Sequence, residues 1–265
     1  MNYLSENYRN GMAKIFRKFR LKHIKTGKLK QYTLYAIGEI LLVVIGILIA
    51  LGINSRVEQN KQKELEQTYL KALLNDFEIN QRKLNNLIAA NQNNYDNSLK
   101  LIGLIGKEQV EENEFAKLMV TTFSYDIHYN PNNAVLDELL NTGNLKSISS
   151  TYLRQRLTVW IATLDDVKSQ EEELAKQREK AMEILLSDKY NMRSLLDETG
   201  ISIDELKLAP TAKESAFEDL LNNNSFESRM LLFALTSRGT QLEHYLPLKE
   251  EIDNILKTLA EELND

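Results

Sequence analysis

Eighteen positions, Ala36 to Ile53, carry a single ionisable side chain, Glu39, and the last fourteen of them, Ile40 to Ile53, carry no polar side chain at all. As an α-helix rising about 1.5 Å per residue, this run covers roughly 27 Å, close to the hydrocarbon thickness of a bilayer. A core helix of a globular protein shows polar positions every few residues, and this run does not. The pattern predicts a transmembrane helix over 33–54, with Tyr32 and Tyr35 as interfacial anchors. The run exceeds the ~7–15 residue apolar region of a signal peptide, and no small-x-small cleavage site follows before Asn54, so it reads as an uncleaved anchor.

Beyond Arg56 the pattern changes to a helical period. Leu65, Tyr69, Leu73, Phe77, Leu84, Ile88, Tyr95 and Ile102 recur near multiples of 3.6, without a proline before the glycines at 103 and 106; they predict one long amphipathic helix able to continue the span. "EENEFAKLMVTTF" starts a shorter helix. Asn130 and Pro131 are placed to cap and open the next one, with Gly143 as its left-handed stop. A further long helix is expected from Ser149 to about Leu195, with Leu153, Leu157, Trp160, Ile161, Leu164 and Val167 as its apolar stripe and "QEEELAKQREK" as a solvated segment. Gly200 breaks it, and "ISIDELKLAP" follows as a connector capped by Ser202 with Glu205 three residues on. The last helix is expected from Ser225 to about Leu263, bent at Pro247, with Leu242, Tyr245, Ile252, Leu256, Leu259 and Leu263 facing inward. The fold class expected is all-α: an N-terminal basic segment (1–32), one transmembrane helix (33–54) and an elongated antiparallel helical bundle (55–265).

Composition supports this and adds polarity. Ten Gly and three Pro in 265 residues are few for a many-stranded sheet. No cysteine is present, which excludes a disulfide framework, a thiolate metal site and a Cys nucleophile. The net charge of -5 conceals an asymmetry: residues 1–32 hold nine Lys and Arg against one acid, and the portion after the span holds 24 basic and 36 acidic residues, a net of -12. Basic residues before a span orient it with the N-terminus in the cytoplasm, so the C-terminal domain is expected in the periplasm, anchored to a bacterial inner membrane. Within the tail, Arg17, Lys18, Arg20 and Lys22 surround an apolar face of Met12, Ile15, Phe16 and Phe19, the pattern of a helix lying on an anionic leaflet. Membrane lipid is the partner that this implies. A basic tail before a span is explained by topology and lipid contact, so nucleic acid is not expected.

Two stretches are more specific. "YAIGEILLVVIGILIALGIN" (35–54), preceded by "FRKFR" and a basic linker, and "NPNNAVLDELLNTGNLKSI" (130–148), followed by "LRQRLTVW", resemble a family of uncharacterised single-pass membrane proteins of Bacteroidota, a domain of unknown function. The resemblance implies single-pass topology and a helical outer domain, and it brings no activity and no catalytic residues. Relatives end the span in a Gln-Ile-Asn-Asn-Trp-like sequence. Here Gly52-Ile53-Asn54-Ser55-Arg56 stands, so a role for that Trp does not transfer.

Candidate chemistry is sparse. His128 and His244 stand alone in sequence, without the Glu-x-x-His spacing of di-metal bundles, and no phosphate loop or nucleophile elbow is present. No catalytic residue, metal or cofactor is expected, and the chain is read as non-enzymatic. Two candidate surfaces remain. Glu39, Gly46 and Ala50 share a helical face in the span, where Gly46-x-x-x-Ala50 is a small-xxx-small packing pattern. "FSYDIHYNPNN" gathers Tyr125, His128 and Tyr129 into a loop suited to a ligand or partner, or else to plugging the end of the bundle. The function expected is an anchored envelope protein whose bundle engages another envelope protein or a second copy of itself. The alternative is a sensory or ligand-binding domain that signals through the span to a separate cytoplasmic partner.

Overall fold

The computed structural model describes residues 29–213 and 216–264, with residues 29–32 described by backbone alone. Among the described residues every regular element is helical and no strand occurs. The chain divides into two units, residues 1–64 and 65–265. In the first, helix α1 (Leu29–Ile102) begins with the apolar run. Its large side chains point outward, with Leu34, Leu42 and Leu48 all more than 60% exposed. This is the one helix among the described residues long and apolar enough to cross a membrane: its most apolar stretch has a mean hydropathy of 2.8, and none of that stretch is buried. Exposure of this kind is unfavourable in water, by about 25 cal/mol per Å² of apolar surface, and is what lipid relieves.

The second unit is built from four legs that run up, down, up and down. The first is the remainder of α1. The second descends beside it through α2 (Glu112–Phe123), an irregular stretch over 124–133, α3 (Ala134–Asn141) and a 3₁₀ turn at Asn144–Ser147. Its direction follows from its partners on α1, where Asn97 Nδ2 donates to Thr121 Oγ1 (3.2 Å), Lys83 Nζ to the Asn130 carbonyl (2.8 Å) and Tyr69 Oη to Glu138 Oε1 (3.3 Å). The third leg, α4 (Thr151–Leu185), runs the same way as α1: the Ser149 N–H meets Glu66 Oε1 at 2.5 Å, and Phe77 meets Trp160 edge-on at 5.1 Å. Then α5 (Met192–Thr199) and α6 (Ile201–Asp204) turn the chain at the far end. The fourth leg returns through α7 (Phe217–Leu221), α8 (Asn224–Gly239), a π-helical turn at Thr240–Tyr245 and α9 (Leu246–Asn264). Leu73, Phe77, Leu84, Phe115, Leu136, Leu157, Trp160, Phe226, Phe233 and Ile252 fill the interior between the legs.

Several boundaries differ from the sequence expectation, each for a local reason. The helix expected to open at Pro131 starts at Ala134, because side chains of α1 hold Asn132 by its backbone N–H and carbonyl. Gly143 does take the left-handed conformation, at φ +71°, and stops α3. The helix expected over 149–195 ends at Leu185, and Asn191 caps a new one by accepting the Arg193 N–H (3.2 Å). Ser202 does not cap α6; it is buried, and Gly200 holds the N-terminal position with φ +82°. On α1 the inward face beyond Leu84 is polar, with Asn91, Asn94 and Ser98 buried where Ile88 and Tyr95 were expected.

The last helix is continuous through Pro247 but widens just before it. Proline lacks an N–H and crowds the carbonyl four residues earlier, which is Glu243, inside the π turn. Gln241 and Tyr245, four and eight residues after the buried Ser237, point inward, while Leu242, expected inside, is 42% exposed. Leu242→Ser should therefore leave the unfolding midpoint of the full chain in detergent, followed by far-UV circular dichroism, within about 0.5 kcal/mol of the parent. Ile252→Ala, on the inward face of α9, should cost about 2–5 kcal/mol in the same titration.

Candidate functional site

The irregular stretch 124–133 lies in the middle of the second leg with no helix of its own to pair its backbone. Buried N–H and C=O groups must find partners, and here they are supplied by side chains from the neighbouring legs. Arg178 donates to the Phe123 carbonyl and Lys83 to that of Asn130. Asn80, fully buried on α1, forms a two-way bond with Asn132: its amide donates to the Asn132 carbonyl (2.9 Å) while its oxygen accepts the Asn132 N–H (2.6 Å). Asp76 accepts from the Asn132 side chain (2.7 Å) and meets the Val135 N–H (3.4 Å), giving α3 an N-terminal carboxylate from another helix. Trp160 Nε1 donates to Asn133 Oδ1 at 3.0 Å.

At the centre lies Glu171 of α4, 3% exposed. Its Oε1 accepts the backbone N–H of Tyr129 (2.9 Å) and the hydroxyl of Tyr245 (2.8 Å), and its Oε2 faces His128 Nδ1 at 3.1 Å. Burial holds the Glu171 carboxyl above its ordinary value, only partly opposed by the Tyr245 and Tyr129 hydrogen bonds and by His128; the charge of Asp126 adds to the rise. Burial, with the Glu171 charge beside them, pushes the phenols of Tyr129 and Tyr245 upward as well. His128 is 59% exposed and forms the lip of a hollow of about 220 Å³, lined also by Tyr129, Pro131, Leu164, Lys168 and Glu171. A second hollow, of about 160 Å³, is apolar and lies among Met119, Phe123, Met182, Leu185, Met192 and Leu196.

Of the loop residues singled out in the sequence, the structure brings His128 and Tyr129 onto one carboxylate and leaves Tyr125 outside, 67% exposed. The stretch lies in the middle of the second leg, not at the end of the bundle. Glu171 and Tyr245 were missed as partners. Glu171 falls in "QEEELAKQREK", read as solvated, yet it continues the stripe of Trp160, Leu164 and Val167 at intervals of three and four, and Leu174 beyond it is buried too. That spacing was the available signal. The π turn is what carries Tyr245 to Glu171, while Gln170 Nε2 donates to Thr240 Oγ1 (3.0 Å) and His244 faces Asp166 (3.0 Å). In the first unit, Glu39, Gly46 and Ala50 lie on α1 and are exposed, and a Cβ added at Gly46 meets nothing within 4 Å. Arg17, Lys18, Arg20 and Lys22 lie outside the described residues.

These features define an all-α chain with a single candidate membrane helix and a helical body. Residues 39–169, just under half of the chain, match a family of unknown function (DUF6090). The match takes in the candidate span from Glu39 onward, the Asp76 and Asn80 anchor points, the irregular stretch and Trp160, and stops two residues short of Glu171. No curated protein and no solved structure matches the chain.

The saturated carboxylate makes a definite stability pattern. A folded-state value above the unfolded one means that the folded chain keeps a proton the unfolded chain has lost. Stability is then full below the ordinary carboxyl value of 4.5 and declines as pH rises through the window up to the raised one. Glu171→Gln keeps an oxygen for both donors and should flatten this dependence while staying within about 1 kcal/mol of the parent at low pH. Glu171→Leu should cost about 1–3 kcal/mol for each donor left unpaired. Denaturant titrations of the full chain in detergent between pH 4 and 8 check all three outcomes.

Proposed function

We propose that this chain is a non-enzymatic envelope protein, anchored in the bacterial inner membrane with its N-terminus cytoplasmic, whose periplasmic helical domain binds another protein or a second copy of itself. The observation that carries this reading is an unpartnered apolar face on the fourth leg, where Leu231, Leu232, Leu235, Leu242 and Leu246 are each between 42% and 67% exposed. Contiguous exposed apolar surface on a folded body marks an interaction site more often than isolated leucines do. The hollows of about 160 and 220 Å³ are small beside the ~300–1,000 Å³ of typical ligand sites, which favours a surface over a pocket as the working part. The partners of Glu171 support a structural carboxylate: Oε1 accepts from the Tyr129 N–H and the Tyr245 hydroxyl, holding two legs of the bundle to α4.

The family match over 39–169 and the apolar helix support an anchored protein, and the basic tail with its positive-inside bias supports the orientation. A sensory domain is the second reading, favoured by the His128 and Lys168 side chains at the mouth of the hollow above Glu171. It predicts a small molecule that raises the melting temperature of the parent and not of a His128→Ala variant.

Purification of the full chain in mild detergent, with identification of everything that co-purifies, tests the leading reading. A partner or a second copy should be retained by the parent and lost in Leu235→Glu. A strictly monomeric protein with no co-purifying chain would end it. Gly46→Ile should weaken self-association of the span in a membrane reporter assay if the small-residue face packs against another helix; unchanged association removes Glu39, Gly46 and Ala50 from the interface.

A further inference from the structure

We infer that the occupant of the leucine face on α8 and α9 is the same face of a second copy of this chain, an inference that rests on the protein-binding reading above and names its partner. Three observations favour a copy over a foreign partner. The first is the pattern. Leu231, Leu235, Leu242 and Leu246 stand at intervals of four, seven and four, with Gly239 between Leu235 and Leu242, so the stripe is nearly symmetric about its midpoint. The π turn, Thr240–Tyr245, contains Leu242, and all four leucines face outward, as intervals of four, seven and four place them on one helical face. A stripe of this kind is self-complementary, as an isologous twofold contact requires. At its centre a helix can approach closely, because a Cβ placed on Gly239 meets nothing within 4 Å.

The second observation is charge. The portion of the chain after the span carries a net of -12, yet residues 224–250 hold three acids (Glu227, Glu243, Glu250) and three bases (Arg229, Arg238, Lys249) and are neutral. Two acidic domains repel wherever their acidic surfaces meet, and a basic partner would be drawn to those surfaces. The neutral segment is where two copies meet without that repulsion, with Arg238 and Glu243 exposed on the stripe's flanks as opposite charges available to a second copy.

The third is size. Sixteen residues from Leu231 to Leu246 make a strip about 24 Å long, one helix wide, which is less than the roughly 800 Å² per partner of a stable free complex. A partner diffusing in solution would be held weakly. Copies anchored by equal spans share one membrane plane, and that confinement raises their effective concentration enough for a small interface to be occupied.

The chain has no cysteine, so a single introduced one reports without background. Gly239→Cys lies near the midpoint and approaches its own counterpart whether the two helices pair in parallel or antiparallel. The full-length variant in native membrane vesicles, treated with a short bismaleimide, is expected to give a covalent dimer well above that of Lys117→Cys, an exposed position on α2 that controls for random collision. Adding Leu235→Glu should lower the Gly239→Cys dimer on the order of tenfold, with the helical circular dichroism unchanged. A Gly239→Cys yield no higher than that of Lys117→Cys overturns the inference. If that result is accompanied by a different protein that co-purifies with the parent and is lost in Leu235→Glu, the face binds a foreign partner and the protein-binding reading stands. If nothing co-purifies either, both fall.

Discussion

Ten residues outside any helix in the middle of the second leg set the terms for the rest of this domain. A helix satisfies its own polar groups, whereas the stretch 124–133 cannot, and where Ile127 and Tyr129 carry it into the interior water does not do so either. Each polar side chain that packs against it answers that need: Arg178 at Phe123, Glu171 at Tyr129, Lys83 at Asn130, and Asn80 in both directions at Asn132. The aromatic residues complete the seat. Tyr129 meets Trp160 edge-on, Trp160 meets Phe77 in the same way, and the Trp160 N–H still reaches Asn133. Removing any one of these groups exposes a backbone partner, which explains why polar residues occupy inward positions on two otherwise amphipathic helices.

That arrangement also explains what the sequence could and could not say. Periodicity found the long helices because apolar burial is the force that aligns them, and Leu73, Phe77, Leu84, Leu153, Leu157 and Ile252 are inside as expected. It failed at Asn80, Asn91 and Glu171, where a polar residue occupies an apolar register. A hydrophobicity pattern places such residues in solvent by construction, and only the partner across the bundle, 52 residues away for Asn80 and 42 or 74 for Glu171, reveals why they are inside. The "NPNN" segment shows the same limit. Its Asn and Pro are helix-start residues in isolation, and they serve here as the groups by which an irregular strap is fastened to α1, so the helix begins three residues later than local preference suggests.

The fourth leg carries a second polar seam with a different outcome. Asn91 donates to the Ser237 carbonyl and to Gln241 Oε1, and Ser237 donates back to Asn91 Oδ1 at 2.8 Å. This fixes the register of the fourth leg on α1 at Ser237 and at Gln241, and Tyr245, at the end of the π turn, meets Glu171 of α4. With Gln241 and Tyr245 held inward, Leu242, next to Gln241, faces out.

Interior polar satisfaction and the exposed leucines are therefore one structural fact seen from two sides. Leu231, Leu235, Leu242 and Leu246 recur at intervals of four, seven and four, which places them on one outward face of the helix on either side of Gly239. A row of leucines exposed to water is unfavourable for a domain that works alone in solvent and becomes favourable where another surface covers it.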